Sequence, residues 1–135
     1  MVTAKMKWTG GIRFEGVSAF GNTIVTDGVS GDGYKPTELM MFALAGCTGV
    51  DVVKILEKKR QDITGVEIEV NASQPDQFPK PFNKIDVKYT FRGRNLDPAK
   101  VEQAISLSED KYCSVSQTMK GVARIISTYE IIEEI

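Results

Sequence analysis

Polar and apolar residues alternate from the start of the chain. Val2, Ala4, Met6 and Trp8 are separated by Thr3, Lys5 and Lys7, the two-residue period of a strand with one apolar face. Gly10-Gly11 supplies a two-residue turn, and residues 12–15 are expected to pair back as a second strand. Phe20-Gly21-Asn22 marks another turn before a strand at 23–26, giving a three-stranded meander. Residues 27–35 hold three glycines and read as a loop, expected to be mobile.

The period then changes. Pro36-Thr37-Glu38 opens a helix, because proline fits the first helical turn and an acidic residue there complements the helix dipole. Residues 39–60 contain no proline and end in Lys58-Lys59-Arg60, suited to a helix C-terminus. The first half of this helix is apolar almost all round, so it is expected to be buried on several sides.

Residues 65–71 and 84–91 alternate as strands, and the connection between them, 72–82, carries three prolines. Asp97 is a candidate N-cap with Pro98 at the first position of a second helix, whose buried face is Val101, Ala104, Ile105 and Leu107-Ser108. A short helix is expected around 115–119 and a closing strand over 123–132. The order βββ-α-ββ-α-(α)-β, with strands in antiparallel runs, predicts an α+β fold in a single domain over residues 1–135.

Composition narrows the chemistry. The chain has 135 residues, enough for a core without staples. Seventeen Lys and Arg against eighteen Asp and Glu give a net charge of -1, which offers neither nucleic acid nor a membrane surface an electrostatic attraction. The N-terminus lacks the apolar run of a signal peptide. The mostly apolar stretch 39–53 is too short to span a bilayer, so a cytoplasmic location is expected, where thiols stay reduced. There is no histidine, which removes Ser-His-Asp hydrolysis, the Cys-His pair and histidine metal sites. With two cysteines, a structural zinc within one chain would need carboxylate ligands, an uncommon arrangement. No metal and no cofactor are expected.

The two cysteines each admit two readings. Cys47 lies mid-helix between Gly46 and Gly49, and two helical glycines, each costing about 1 kcal/mol relative to alanine, imply close packing or room for a ligand. A thiol there either fills a core slot or reacts. Cys113 follows the second helix, and a helix starting near Ser114 would favour its thiolate, unless it too is a core thiol. Asp51, at i+4 from Cys47, shares its helix face and works against a thiolate unless a cation intervenes, so a capping or buried hydrogen-bonding role suits it equally. Arg13 is a candidate cation, or a solvated strand arginine.

Two blocks carry a family resemblance. Pro36-Thr-Glu-Leu-Met-Met-Phe-Ala-Leu-Ala-Gly-Cys47 resembles the Pro-x-Glu-Leu stretch that leads into the first cysteine of the OsmC/Ohr proteins, osmotically inducible protein C and organic hydroperoxide resistance protein. Tyr112-Cys-Ser-Val-Ser116 is similar to their Cys-Pro-Val-Ser, with Ser114 in place of proline. Cysteine spacing and element order agree as well, so the resemblance covers essentially the whole chain.

The resemblance implies an intertwined homodimer with antiparallel sheets around long, buried central helices. It also implies a peroxidase cycle: Cys47 attacks a hydroperoxide and becomes a sulfenic acid, Cys113 condenses with it to a disulfide, and a dithiol such as a lipoylated protein restores both thiols. Arg13 best matches the family arginine. The family glutamate falls ten residues before the first cysteine, where this chain has Thr37; Glu38 is nine before. On a continuous helix Glu38 would lie on the opposite face from Cys47, roughly 13 Å along the axis.

The leading expectation is thus a cytoplasmic thiol peroxidase for organic hydroperoxides, with Cys47, Cys113, Arg13 and Glu38 as its site residues and no nucleic-acid or membrane partner. The alternative is a non-enzymatic dimer that keeps its thiols for redox sensing or for binding an apolar or electrophilic ligand. Thr37 and Asp51 favour it, because both leave the thiolate less stabilised.

Overall fold

The computed structural model describes residues 2–28 and 31–135, which form two compact units, one ending at Met40 and one beginning at Met41. Met1, and residues 29–30 of the expected loop, lie outside the described residues.

The N-terminal unit holds the meander. Strands β1 (Ala4–Gly10), β2 (Arg13–Ser18) and β3 (Thr23–Thr26) pair antiparallel in that order. Gly10 and Gly11 turn the chain at φ 119° and 57°, values that glycine adopts without a side-chain clash. The register sets Met6 opposite Gly16 and Gly16 opposite Ile24, while Trp8, Phe14 and Thr26 form the next rank on the same face. A Cβ at Gly16 would lie 2.5 Å from Met6 Sδ, so this glycine lets Met6 and Ile24 close over the middle strand. Arg13 alternates with Phe14 and therefore lies on the opposite, polar face with Glu15. The chain returns to β3 at Tyr34, whose N–H donates to Val25 O at 2.9 Å.

Helix α1 (Pro36–Lys58) starts in this unit and continues into the next. Its N-cap is Lys35, and the Lys35 N–H donates to Glu38 Oε1 at 2.8 Å, the carboxylate half of a capping box. At its far end Arg60 takes φ 59°, and the Gln61 N–H donates to Leu56 O.

The C-terminal unit packs α1 and two further helices on a second sheet. Strand β4 (Asp62–Ser73) pairs antiparallel with β5 (Lys84–Arg94), and β5 pairs with β6 (Arg124–Glu133). Between β5 and β6 come α2 (Pro98–Leu107), a π-helical turn (Ser108–Tyr112) and α3 (Ser114–Met119). Because this crossover carries the chain back to the start of the sheet, β6 runs parallel to β5. The α+β class holds, but this pair departs from the antiparallel expectation. Asp97 caps α2 as the sequence predicts, its Oδ1 accepting from the Ala99 N–H at 3.0 Å, with Pro98 at the helix start.

Ile85, Val87, Tyr89 and Phe91 alternate inward along β5 and are essentially fully buried. They join Leu44, Val52 and Leu56 of α1 and Val101, Ala104 and Ile105 of α2 in one core. Each large apolar side chain fully buried there contributes about 1.5–3 kcal/mol. The buried positions of α1 are Leu44, Thr48, Val52 and Leu56, a single stripe at four-residue spacing. The first half of the helix is therefore not enclosed on several sides within the chain: Met40 is 43% exposed and Val50 54%. The whole of α1, at 23 residues, is by length and composition long and apolar enough to cross a membrane, but its stripe packs into the protein core.

Candidate thiol site

Cys47 projects from the middle of α1 beside that stripe, and packs against the core while remaining half-buried. Gly49, two residues on, admits Ile68 of β4: a Cβ there would stand 3.2 Å from Ile68 Cδ1. A Cβ at Gly46 would meet nothing within 4 Å, so the close packing expected around both glycines is met within the chain at Gly49 alone.

Cys113 comes from the far side of the crossover. The π-helical turn ends at Tyr112, and Cys113 takes an extended conformation (φ -78°, ψ 106°) as the N-cap of α3. Its Sγ accepts from the Ser116 N–H at 3.3 Å. The residue is fully buried. Burial, reinforced by the neighbouring Cys47 thiol, pushes the Cys113 thiol up to about 11. The Ser116 and Val115 amides pull the other way, as the expected helix start would, but burial outweighs them.

The two sulfurs and a carboxylate oxygen of Asp51 all lie within 4.8 Å of one another. Asp51 is one turn beyond Cys47 on the same helix face, and its Oδ2 accepts from Ser108 Oγ at 3.0 Å. This is the hydrogen-bonding role the sequence allowed for Asp51. The two thiols are thus near neighbours, and the Ser108 hydroxyl holds the carboxylate beside them.

A second polar cluster braces the turn from which Cys113 emerges. Glu109 accepts from Tyr89 Oη at 2.8 Å and from the Ser127 hydroxyl, while its backbone O accepts from Ser116 Oγ at 3.1 Å. Burial and the Glu109 carboxylate hold the Tyr89 phenol far above its ordinary range. Five residues of π-helix turn both Ser108 and Glu109 toward protein partners, and such turns recur at functional sites. Composition alone did not single out Ser108 or Glu109; the one sequence signal was Ser108 on the apolar face of α2. A cleft of about 780 Å³, with Asp51, Lys54, Ile55, Lys58, Leu107 and Tyr112 among its lining residues, opens beside the carboxylate. Arg13 and Glu38 belong to the N-terminal unit, where Arg13 is half-buried and Glu38 is exposed and engaged with Lys35.

The family model for OsmC-like protein matches residues 29–127, a span that includes both cysteines, Asp51 and Ser108. This chain belongs to the OsmC-like protein family. Protein YhfA of Escherichia coli K12 is 38% identical over 130 residues, covering 96% of this chain and 97% of its own. A hypothetical protein from Aquifex aeolicus VF5 superposes with a TM-score of 0.90 at 28% identity, over 99% of this chain and 98% of that one. The organic hydroperoxide resistance protein OhrB of Bacillus subtilis superposes with a TM-score of 0.69 at 18% identity, covering 96% and 98%, a likeness of fold. OsmC-like membership supports a redox-related role and bears out the family resemblance.

Proposed function

We propose that this protein is a cytoplasmic thiol peroxidase that reduces organic hydroperoxides, with residues 1–135 acting as one OsmC-like domain in a homodimer. The observation that carries the reading is the placement of Cys47 Sγ and Cys113 Sγ within 4.8 Å of each other in an OsmC-like fold. The Cys47 thiolate attacks the distal peroxide oxygen, the O–O bond breaks, and the leaving alkoxide takes a proton to become an alcohol. The Cys47 sulfenic acid then condenses with the Cys113 thiol, releasing water and forming a disulfide. A dithiol, for instance a lipoyl group, reduces that disulfide and leaves oxidised.

The half-buried Cys47 suits the peroxidatic role and the buried Cys113 the resolving one. Arg13 is proposed as the cation that favours the thiolate. Glu38 is assigned the lesser part, because its carboxylate already caps α1. The exposed Met40 and Val50, and the open space at Gly46, support a second copy packing along α1. A cycle that must return both thiols to the reduced state also fits the cytoplasm.

Stopped-flow oxidation of the reduced protein by cumene hydroperoxide and by hydrogen peroxide, followed by mass spectrometry, tests this reading. Fast oxidation selective for the organic peroxide and ending in a Cys47–Cys113 disulfide is expected. Rates no better than a free thiol, with no linkage, would reject it. The second reading, a thiol dimer for sensing or ligand binding, is favoured by one observation: Thr37 stands at the family glutamate position while Glu38 is engaged with Lys35.

A further inference from the structure

We propose that Cys47, Asp51 and Cys113 form a metal site that takes one zinc-class cation per chain through two thiolates and one carboxylate oxygen. The site uses the same two thiols as the proposed peroxide cycle, so metal and disulfide exclude each other in one chain, and it departs from the sequence expectation of no metal.

The donor set comes first. Thiolates and a carboxylate are ligands that zinc accepts, and three protein donors leave one tetrahedral position open. In such a site the sulfurs stand about 3.8 Å apart and each lies about 3.5 Å from the oxygen, given Zn–S near 2.3 Å and Zn–O near 2.0–2.2 Å. The three donor atoms here already lie within 4.8 Å of one another, so closing on an ion takes side-chain rotation of about 1 Å. Cys47 and Asp51 are spaced by one helical turn, which presents both donors from one face of α1, and Cys113 arrives from the α3 N-cap to complete the set.

The surroundings fit as well. Ligands in metal sites are oriented by outer hydrogen bonds, and two of the three have one. Ser108 Oγ donates to Asp51 Oδ2 at 3.0 Å, and the Ser116 N–H donates to Cys113 Sγ at 3.3 Å. The cleft reaches the site on its Asp51 side, the side from which an ion and a fourth ligand would have to come. On binding, two thiol protons leave to solvent, and two thiolates with a carboxylate around a dication retain one negative charge. Lys54, Lys58 and Lys59 line the same cleft against one further carboxylate, Glu57, so its remaining charge is positive.

The test is an anaerobic titration of the reduced, chelator-stripped full chain with cobalt(II), then with zinc(II). Expected are one equivalent bound, a sulfur-to-cobalt charge-transfer band with tetrahedral visible bands, and displacement of both by zinc. Zinc should also protect Cys47 and Cys113 together from iodoacetamide. Asp51→Asn keeps both thiols and the side-chain shape, and should weaken cobalt binding at least tenfold; Ser108→Ala should weaken it by about 10–100-fold. Absence of the charge-transfer band in folded, reduced protein overturns the proposal. So does a band whose affinity Asp51→Asn leaves unchanged, which would mean binding by the thiols without the carboxylate. Neither readout requires turnover, so failure here is distinguishable from failure of the peroxidase reading.

Discussion

The Ser108 hydroxyl donates to the Asp51 carboxylate at 3.0 Å, tying the turn that leads into Cys113 to the helix that carries Cys47. Fifty-seven residues of sequence separate the partners. Ser108 is fully buried, so its loss leaves a partly buried carboxylate short of a donor. Ser108→Ala is expected to destabilise the fold by about 1–3 kcal/mol in urea unfolding. A change below about 0.5 kcal/mol would show that solvent replaces the serine and that the tie contributes nothing.

The roles proposed for the cysteines predict different failures. Cys47→Ser should abolish peroxide turnover. Cys113→Ser should permit one oxidation and then stall at the sulfenic acid or beyond, with no intramolecular disulfide in the mass spectrum. Equal activity in the two variants would reject the assignment.

Tyr89 gives a pH signature. Its phenol is held well above the ordinary 10.0 by burial and by Glu109, so above that pH the unfolded chain loses a proton that the folded chain keeps. The slope of stability with pH is therefore negative there: this contribution is fully present below about pH 10 and drains away as pH rises beyond it. Unfolding at a series of alkaline pH values should show a steeper loss in the native protein than in Tyr89→Phe. Parallel curves would mean that the phenol titrates normally in the folded state.

Glu38 is predicted to act on the helix start. Glu38→Gln keeps an acceptor for the Lys35 N–H and should change stability little, whereas Glu38→Ala should cost about 1 kcal/mol. Peroxide kinetics should suffer more from Arg13→Ala than from Glu38→Gln. The reverse order would give Glu38 the task of the missing family carboxylate.

Val50 tests the homodimer. It is 54% exposed within the chain, and a surface substitution on a lone chain falls within about ±0.5 kcal/mol. If a second copy packs along α1, Val50→Lys should shift sedimentation from dimer toward monomer at low concentration. A native protein that sediments as a monomer would remove the dimer.

Local rules made much of the fold legible. Turn glycines and alternating polarity gave the meander, Asp97-Pro98 gave the start of α2, and the apolar run after Pro36 gave α1, each an element whose signal lies within a few residues. The parallel pairing of β6 with β5 was not legible, because strand direction depends on where the intervening crossover returns the chain. The π-helical turn at Ser108–Tyr112 had no local signature either; it accompanies Ser108 and Glu109 reaching partners on other elements, Asp51 of α1 and Tyr89 of β5.

The site divides the same way. By itself the sequence determined that thiols are the candidate reactive groups, since histidine is absent and two cysteines sit in family-like blocks, and that Asp51 would share a helix face with Cys47. Only the tertiary structure decided that Cys113 reaches that face, that Ser108 holds the carboxylate, and that burial outweighs the helix start in setting the Cys113 thiol. The reason is physical: a residue's type and period are fixed locally, whereas proximity and desolvation are created by what packs against it from far along the chain.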